Sequence, residues 1–588
     1  MHSVIRSIAT HLIRRSHSHS LKPTSRFAQG ALALSLFLAA SVATAATYTV
    51  NNINNQGPGS LRQALTDAAS GDIINITATG TLILDSELIV NKNLAIQGPG
   101  AVNLAISGNG ATRVFNIGNA TVSISDLSIT GGYTGGTGGG LFNRGALTLT
   151  GVAIAGNQAS YGGGVWNGND YGSGGSIVFN DCAIKNNTAY TGGGLYNGGS
   201  AVVLNNTSVL GNSGGEGLGI HNGNGQLTLN HSKVIGNAMA GSDGMASAGG
   251  GITAYGTVKI NDSDISYNVA ESGGGIFQGG SLTLTNSAVT HNTGGVHGGG
   301  IYSQGDMTLV NSTVANNHAT SLSCGCLNGA LGGGILKGYG ALTLINSTIS
   351  GNVADDSAIA YQSEYAPGEG GGIFVADGAT LAMLNSIVAG NISTKTTDIS
   401  SVAAVIGNSH NFIGSTDGIP NVVGDRTFAN TGTTVAQLLA PLAYNGGPTK
   451  TFALAVGSLA IDRGDNAATV GTTDQRGEGY VRISRITVDI GAFEAQEVAN
   501  PSAMVADLKS YVNNLISSNR GMKTALMAKL TDAQIALIAP ADIPKACAAL
   551  QDFINQVRAQ RGKKQITAAE ADVLIGQAQD IRLLIGCG

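Results

Sequence analysis

Between residues 81 and 405, apolar and polar residues alternate in short runs that are separated by turns rich in glycine and asparagine. Alternation with a period of two is typical of β-strands, whose successive side chains point to opposite faces of a sheet. No helical pattern of about ten residues separates these runs, which excludes strand–helix–strand units. The pattern predicts a mainly β domain with many short strands.

Glycine triplets recur through this region at intervals of 24 to 38 residues. They occupy 138–140, 162–164, 192–194, 249–251, 273–275, 298–300, 332–334 and 370–372, and Gly-Leu-Gly at 217–219 fills the remaining gap. A period of this size indicates a solenoid, in which each repeat packs only on its neighbours. We therefore expect a parallel β-helix with one triplet in each rung.

A twelve-residue window such as Ser281–Asn292 follows each triplet, and the nine windows align without gaps. The ninth position is β-branched in every window: Ile154, Ile184, Val209, Val234, Ile265, Val289, Val314, Ile349 and Val388. Branched side chains fit best in a packed sheet. This column is predicted to lie inside the coil.

The twelfth position of the window is always asparagine: Asn157, Asn187, Asn212, Asn237, Asn268, Asn292, Asn317, Asn352 and Asn391. Asparagine tolerates left-handed backbone and bonds its own backbone at turns. Stacked identical amides can also hydrogen-bond from rung to rung. The column is interpreted as a structural asparagine ladder at a corner of the coil, not as a set of ligands.

Two further columns follow each triplet. The first is apolar and is predicted to point inward: Leu141, Val165, Leu195, Ile220, Ile252, Ile276, Ile301, Ile335 and Ile373. By alternation its neighbour points outward, and seven of those nine residues are aromatic or histidine: Phe142, Trp166, Tyr196, His221, Phe277, Tyr302 and Phe374. This aromatic column is either a stabilising ladder covered by the corner insertions 238–248, 318–331 and 353–369, or a surface that contacts sugar rings.

The repeat resembles a known family. Gly-Gly-Gly-Ile-Tyr-Ser at 298–303, followed by Leu-Val-Asn-Ser-Thr-Val-Ala-Asn-Asn at 309–317, is similar to the repeats of polymorphic outer-membrane proteins and related β-helix surface proteins. The resemblance covers most of residues 131–405. It implies a right-handed parallel β-helix at a bacterial surface, and it says little about chemistry.

The N-terminal residues 1–45 carry five cations and no acid, then an apolar run from Ala31 to Ala40 and the sequence Ala43-Thr44-Ala45. This order predicts a signal peptide, and the apolar run is short for the alternative of a membrane anchor. The mature chain is predicted to be exported, extracellular or on the bacterial cell surface, with no transmembrane segment.

Residues 46–130 are predicted to form an N-terminal cap and the first rungs. Ser60 is a plausible N-cap for a short helix that presents Leu61, Ala64 and Leu65. This stretch resembles the Ser-Leu-Arg-x-Ala segment found before exported β-helices, although the cysteine with which that segment often begins is absent here.

Residues 406–498 resemble the choice-of-anchor Q domain, through Asn445-Gly-Gly-Pro448, Ala460-Ile-Asp-Arg-Gly464 and Asp489-Ile-Gly-Ala-Phe-Glu494. The resemblance implies a segment that closes the β-helix, and surface residence. Its charged residues are read as partners of buried turns in preference to an active site: Asp474, Arg476, Asp489 and Glu494.

Residues 501–588 change to a helical period and are predicted to be a small helical domain, which resembles the FIMAH domain. Cys547 and Cys587 are alone in this tail and are the predicted disulfide. Cys182 is expected only to pack, whereas Cys324 and Cys326 form either a strained local bridge or two free thiols.

Composition and missing motifs narrow the function. With 30 basic and 35 acidic residues the chain is acidic, so nucleic acid is not an expected partner. No cofactor, metal site or catalytic residue is predicted, because the rungs hold no pair of acids at catalytic spacing. The acidic insertion with Asp355, Asp356, Glu364 and Glu369 is read as a solvated loop, with calcium binding as the alternative.

These features favour a noncatalytic adhesin or glycan-contacting scaffold whose partners are surface glycans or polysaccharides. Two alternatives stay open. The first is a polysaccharide lyase or hydrolase of the pectate-lyase-like β-helix type, since such enzymes share this fold. The second is a purely structural surface layer.

Overall fold

The computed structural model describes residues 45–168, 174–238, 248–320, 329–355, 368–403, 405–407, 410–420, 425–485, 487–496, 501–515, 520–538, 542–562 and 566–587. The predicted signal peptide, Cys324, Cys326, Asp356 and Glu364 lie outside these residues. No helix within them is long and apolar enough to cross a membrane.

Three long parallel sheets form the body of the protein, which is a right-handed parallel β-helix as predicted. Sheet A has fourteen strands in sequence order: Thr47–Val50, Ile73–Ile76, Leu94–Gln97, Thr121–Ser125, Ala146–Thr150, Ser176–Asn180, Ala201–Asn205, Gln226–Asn230, Thr257–Asn261, Ser281–Thr285, Met307–Val310, Gly340–Ile345, Ala379–Leu384 and Ile406–Gly407. Sheet B also has fourteen: Gly80–Ile83, Leu104–Ser107, Ser128–Thr130, Ala153–Ala155, Ala183–Lys185, Ser208–Leu210, Lys233–Ile235, Asp264–Ser266, Ala288–Thr290, Thr313–Ala315, Thr348–Ser350, Ile387–Val388, Phe412–Ile413 and Arg426–Thr427.

Sheet C has twelve strands, and nine of them directly follow a glycine triplet or Gly-Leu-Gly 217–219. The strands are Leu88–Val90, Phe115–Ile117, Leu141–Asn143, Val165–Asn167, Leu195–Asn197, Ile220–Asn222, Ile252–Ala254, Ile276–Gln278, Ile301–Ser303, Ile335–Lys337, Ile373–Val375 and Ile399–Ser401. Two smaller parallel sheets lie between the asparagine corner and the triplets. Sheet D comprises Gln158–Tyr161, Thr188–Thr191 and Ser213–Glu216. Sheet E comprises Val269–Ser272, Thr293–His297, His318–Thr320, Val353–Asp355 and Ile392–Ser393.

The core follows from the alternation of side chains. All nine residues of the β-branched column lie in strands of sheet B, and each is 0% exposed, as predicted. The apolar column after the triplets is equally buried, in sheet C. At the N-terminal end, Ser60 accepts a hydrogen bond from Gln63 N at 3.2 Å and caps the helix Leu61–Asp67. This helix covers the first rungs with Leu61, Ala64 and Leu65.

The glycine triplets are required by backbone geometry. The first glycine has positive φ, as at Gly298 with φ of 60°, a region that glycine enters without strain. A Cβ on Gly299 would lie 2.4 Å from Gly333 O, and one on Gly300 would lie 2.7 Å from Gly334 O. The absence of a Cβ at the second and third glycines therefore allows the backbones of adjacent rungs to approach this closely.

The asparagine column forms a continuous buried ladder. Each Nδ2 from Asn157 to Asn352 donates to Oδ1 of the next asparagine at 2.9–3.0 Å. The same Oδ1 accepts a second hydrogen bond from the backbone N of the preceding asparagine, as at Asn212 with 2.9 Å to Asn237. Asn391 ends the ladder by donating to Asp398 Oδ1 at 2.8 Å.

A second ladder, which we did not predict from the sequence, lies inside sheet C. Asn143 Nδ2 donates to Asn167 Oδ1 at 2.7 Å, and the row continues through Asn197 to Asn222. Further along the same column, Ser303 Oγ donates to Gln278 Oε1 at 2.7 Å. Lys337 then donates to Ser303 Oγ at 3.0 Å and to Gly305 O. The column thus ends in a fully buried ammonium.

Lys337 is expected to make folding stability depend on pH in the alkaline range. Burial lowers the pKa of its ammonium from 10.5 to about 8, so the unfolded chain binds more protons between these values and stability rises with pH. From about pH 8 to about pH 9.5 the gain should be about 1.5 kcal/mol. Urea unfolding of the protein and of Lys337→Met measures it, because the variant should lack this part of the slope. Equal slopes would contradict the prediction.

Residues 428–485 and 487–496, here called the return segment, fold back along the outer face of sheet B. They contain the helices Phe428–Thr431, Val435–Leu438 and Asn466–Ala468 and the antiparallel pair Leu439–Ala443 and Thr451–Leu454. Thr313 Oγ1 donates to Gln475 Oε1 at 2.6 Å, and Ala492 N donates to Thr348 Oγ1 at 3.0 Å. The segment therefore covers the side of the solenoid over these rungs.

The C-terminal residues form four helices: Pro501–Leu515, Arg520–Ala536, Ile543–Gln560 and Ala568–Leu584. Their shared core contains Leu508, Leu530, Phe553 and Ile581. A disulfide joins Cys547, at the start of the third helix, to Cys587, beyond the fourth. The bond ties the end of the chain to the bundle.

Loss of this disulfide is expected to destabilise the tail by about 4 kcal/mol, because it closes a long loop in the unfolded chain. The loop spans 40 residues. The double variant Cys547→Ser and Cys587→Ser should show an earlier loss of the helical circular dichroism signal. Cys182→Ser is the control, since the next two rungs hold the hydroxyl residues Thr207 and Ser232 in the same buried column. Equal stability of the double variant and the control would contradict the expectation.

Candidate functional site

The outward column of sheet C brings the predicted aromatic residues into register. Phe142, Trp166, Tyr196 and His221 pair on successive strands, and the column continues through Thr253. Its later members are Phe277, Tyr302, Leu336 and Phe374. Parallel strands lie about 4.8 Å apart, so rings at equivalent positions meet face to face or edge to face.

The rings at the centre of the column are stacked. Trp166 and Tyr196 have centroids 4.2 Å apart with planes at 9°, and Tyr196 and His221 are 4.7 Å apart at 13°. Further along, Phe277 and Tyr302 meet edge to face at 5.2 Å. These contacts make the column an aromatic ladder on the outside of the coil.

Exposure divides the seven candidate residues into two groups. Phe142, Trp166 and His221 are only 3%, 9% and 6% exposed. The others are half-buried: Tyr196, Phe277, Tyr302 and Phe374. The arginine side chains at 113 and 144 further cover Phe142, with guanidinium carbons 5.2 and 4.8 Å from its ring centroid. The ladder is therefore mainly structural, and ligand access is restricted to its half-buried members.

Four exposed tyrosines flank the ladder, and our reading of the sequence missed them. Tyr161 and Tyr190 come from sheet D, while Tyr255 and Tyr339 follow strands of sheet C. They are 43%, 60%, 45% and 64% exposed. Three of them directly precede a glycine that opens a turn, which is the sequence signal that could have found them.

Tyr161 and Tyr255 connect this rim to the ladder. The Tyr161 ring lies 6.2 Å from both Trp166 and Tyr196, edge to face. The Tyr255 ring, which follows the strand of the next rung, has its centroid 6.0 Å from that of His221. We call the surface formed by Tyr161, Trp166, Tyr196, Glu216, His221 and Tyr255 the aromatic cleft.

One carboxylate marks the polar part of the aromatic cleft. Glu216 Oε1 accepts a hydrogen bond from Tyr255 Oη at 3.1 Å and lies 3.8 Å from His221 Nδ1. Burial lowers the pKa of His221 to about 4, whereas burial and Glu216 raise the pKa of Tyr255 to about 12. Near neutral pH the imidazole and the phenol are uncharged.

Two buried polar atoms at the floor of the cleft have no partner among the described residues. They are Trp166 Nε1 and His221 Nδ1. Trp166 Nε1 is a donor, and a buried donor without a partner costs about 1–3 kcal/mol. The accessible part of the cleft consists of ring faces and the Glu216 carboxylate, with this unsatisfied donor beneath them.

Glu216 and Glu369, the two acids that directly precede a triplet, are too far apart for paired acid–base chemistry. The position before each triplet carries Glu216 and, five rungs later, Glu369, which corresponds to about 24 Å at about 4.8 Å per rung. Glycosidases need two carboxyl groups within about 5–9.5 Å. Glu369 is also bound by Lys395 and Ser400.

The return segment provides no open site among its described residues, and most of the acidic insertion, with Asp356 and Glu364, lies outside the described residues. No cluster of three or more metal-ligating side chains occurs in the described part of the chain. Asp474 and Arg476 form a buried ion pair at 2.6 Å. The Arg476 guanidinium lies between the rings of Tyr480 and Phe493, at 3.9 and 3.8 Å from their centroids.

Glu494 and Asp489 are buried among backbone groups of the return segment. Glu494 accepts hydrogen bonds from Ser484 N and Asp489 N at 2.9 and 2.8 Å. Asp489 accepts from Asp462 N and Ala495 N at 2.7 and 2.6 Å. Both side chains hold turns in place, which supports the interpretation of these residues as partners of buried turns.

No family model matches the sequence, and a search of curated proteins gives no significant match. Among solved structures, the chain is similar to a mannuronic acid specific polysaccharide family 6 lyase from human gut microbiota, with a TM-score of 0.26 and 11% sequence identity. The alignment covers 66% of this chain and 93% of that chain. A similarity this low carries no inference about chemistry.

Proposed function

We propose that this chain is an exported, noncatalytic glycan-contacting scaffold and that the aromatic cleft is its contact surface. The observation that carries the proposal is the combination of tyrosine rings about half exposed at the rim with the partly exposed Glu216 carboxylate beside Tyr255. Sugars present apolar ring faces that pack on aromatic side chains, and hydroxyls that pair with accessible polar groups such as the Glu216 carboxylate and the Tyr161 hydroxyl.

Export is part of the proposal and is supported by two observations. The N-terminal residues have the order of a signal peptide. The disulfide between Cys547 and Cys587 belongs to an oxidising compartment. A scaffold outside the cell meets polysaccharides directly, which fits a rigid solenoid with an aromatic face.

The enzymatic alternative lacks a supporting observation within the described residues. Glu216 is the one carboxylate among the residues that define the cleft. In the two preceding rungs its position is occupied by Thr191 and Tyr161, which carry no carboxylate. A scaffold needs only binding groups, whereas a hydrolase needs a second acid at short range. We therefore retain binding without turnover as the function.

The proposal is tested by measuring binding of the purified protein to a panel of polysaccharides, while release of reducing or unsaturated ends is followed in the same samples. The double variant Tyr161→Ala and Tyr255→Ala should lose binding by about tenfold or more, since each stacking contact contributes about 1 kcal/mol. Tyr339→Ala is the matched control, because this exposed tyrosine lies outside the cleft.

Thermal unfolding separates this effect from misfolding. Both rim residues are about half exposed, so the double variant should unfold close to the wild-type temperature. Trp166→Ala, by contrast, should lose stability because it removes a buried stacked ring. Unchanged binding of the rim variant, or release of sugar ends by the wild type, would overturn the proposal.

A further inference from the structure

A second surface of unusual composition lies at the corner between sheet B and the asparagine ladder. Each rung there has one residue, immediately before the ladder asparagine, with positive φ. Seven of the nine are glycine or asparagine: Gly156, Asn186, Gly211, Gly236, Asn316, Gly351 and Gly390. The two exceptions are adjacent, Tyr267 with φ of 57° and His291 with φ of 56°.

Left-handed backbone at a bulky residue is strained, by about 1–2 kcal/mol, whereas glycine adopts it freely. Strain that a fold tolerates at one place points to a use for the side chain there. Tyr267 and His291 stack with centroids 4.9 Å apart and planes at 18°. One rung earlier, Gly236 leaves open space where a Cβ would lie. Tyr267 is consequently 50% exposed.

The return segment brings a lysine and a second tyrosine to this corner. Lys450 Nζ lies 6.0 Å from the Tyr267 ring centroid and 5.6 Å from that of Tyr444, which is 59% exposed. Lys450 has no ion pair among the described residues. We call Tyr267, Tyr444 and Lys450 the lysine–tyrosine corner.

The neighbouring face of sheet B adds positive charge. Lys185 and Lys233 are exposed there, on rungs that precede Tyr267. Asp264 lies beside Lys233 in register and interacts electrostatically with both Lys450 and Lys233, although its side chain is buried at 8% exposure. The acids at the far corner of sheet B, Asp181 and Asp262, accept hydrogen bonds from asparagines of the next rung. The accessible charged groups beside Tyr267 are therefore Lys233 and Lys450, because Asp264 is buried and Asp181 and Asp262 lie at the far corner.

We propose that the lysine–tyrosine corner, with the adjoining outer face of sheet B, binds an anionic polysaccharide. Apolar faces of the sugar rings pack on Tyr267 and Tyr444, and the carboxylate or sulfate groups pair with Lys450 and Lys233. An uncharged glycan would leave the lysines unused, and a peptide would not require two separate ring faces. This site is on a different sheet from the aromatic cleft and takes a ligand of different charge.

The test uses the full-length protein and isothermal titration with a galacturonate hexamer, the same hexamer as its methyl ester, and a sulfated glucan hexamer. The acid or the sulfated ligand should bind at least about tenfold more tightly than the ester, and binding should weaken as salt is added. The two anionic ligands show which group the site takes.

Tyr267→Gly is the decisive variant. Glycine relieves the strained φ, so the melting temperature should stay the same or rise, while affinity for the anionic ligand should fall about tenfold. Lys450→Gln should produce a similar loss and reduce the salt dependence. Tyr339→Ala and the double variant Tyr161→Ala and Tyr255→Ala are controls that should bind this ligand as the wild type does.

Wild-type affinity of Tyr267→Gly and Lys450→Gln for the anionic ligand would overturn the proposal. Binding of the ester as tight as that of both anionic ligands, or no binding of either anionic ligand, would do the same. Loss of anion binding in the aromatic-cleft variant would place the anion in the cleft and overturn the second site, while the glycan-binding function of the cleft would stand.

Discussion

Asn237→Ala is expected to lower the free energy of unfolding of the β-helix by about 4 kcal/mol. Asn237 Oδ1 accepts from Asn212 N and Nδ2, and Asn237 Nδ2 donates to Val209 O and Asn268 Oδ1. The site is fully buried. Alanine leaves these partners without water or protein to replace the amide, and each unsatisfied group costs about 1–3 kcal/mol.

Asn230→Ala is the matched control for this experiment. Asn230 belongs to a parallel row on the outside of sheet A, where it donates to Asn205 Oδ1 and accepts from Asn261 Nδ2, both at 2.9 Å. This row is only partly buried, so water can take over the bonds and the loss should stay below about 1 kcal/mol. Urea denaturation followed by circular dichroism compares the two. Equal losses would show that burial does not set the strength of the ladder.

Gly274→Ala is expected to destabilise the protein by about 3 kcal/mol or more. A Cβ at this position would lie 2.4 Å from Thr293 O and 2.5 Å from Gly299 O. Both contacts are backbone atoms of the next rung, which cannot turn away as a flexible side chain would. The rungs would have to separate locally, which breaks the hydrogen bonds that stack them.

Gly135→Ala provides the comparison, because nothing lies within 4 Å of a Cβ built there. Its effect should remain within about 0.5 kcal/mol, as for an ordinary surface change. Thermal unfolding and the yield of soluble protein would report both variants. A Gly274→Ala protein as stable as Gly135→Ala would mean that the rungs can move apart without loss.

The repeating body of the fold is predictable because the same requirement returns in every rung. A buried β-branched side chain such as Val289, a ladder amide such as Asn292 and a glycine such as Gly299 are each fixed by contacts with equivalent residues one rung away. Nine aligned copies make such a requirement visible as a column. The second ladder is asparagine only in the four rungs from Asn143 to Asn222. Its column changes residue type in the later rungs, so the sequence marks it less clearly.

The return segment could not be predicted in the same way, because its contacts join residues far apart in the chain. Thr313 and Gln475 are separated by 162 positions, and no sequence pattern indicates that these two residues are in contact. The same holds for the lysine–tyrosine corner, where Lys450 meets Tyr267 only after the segment has folded back. The alternation of side chains also does not predict whether an outward ring such as Trp166 is exposed, because its exposure depends on which other segments of the chain pack over it.

Whether a rung can be added or removed depends on whether the return segment contacts it. Every rung offers the same donors and acceptors above and below, so a whole repeat can be duplicated or deleted before Asp264 and the neighbours still join correctly. Between Asn286 and Asn385 the return segment bonds to particular rungs. These contacts require a fixed number of repeats in this stretch. Variants and relatives should therefore gain or lose rungs on its N-terminal side.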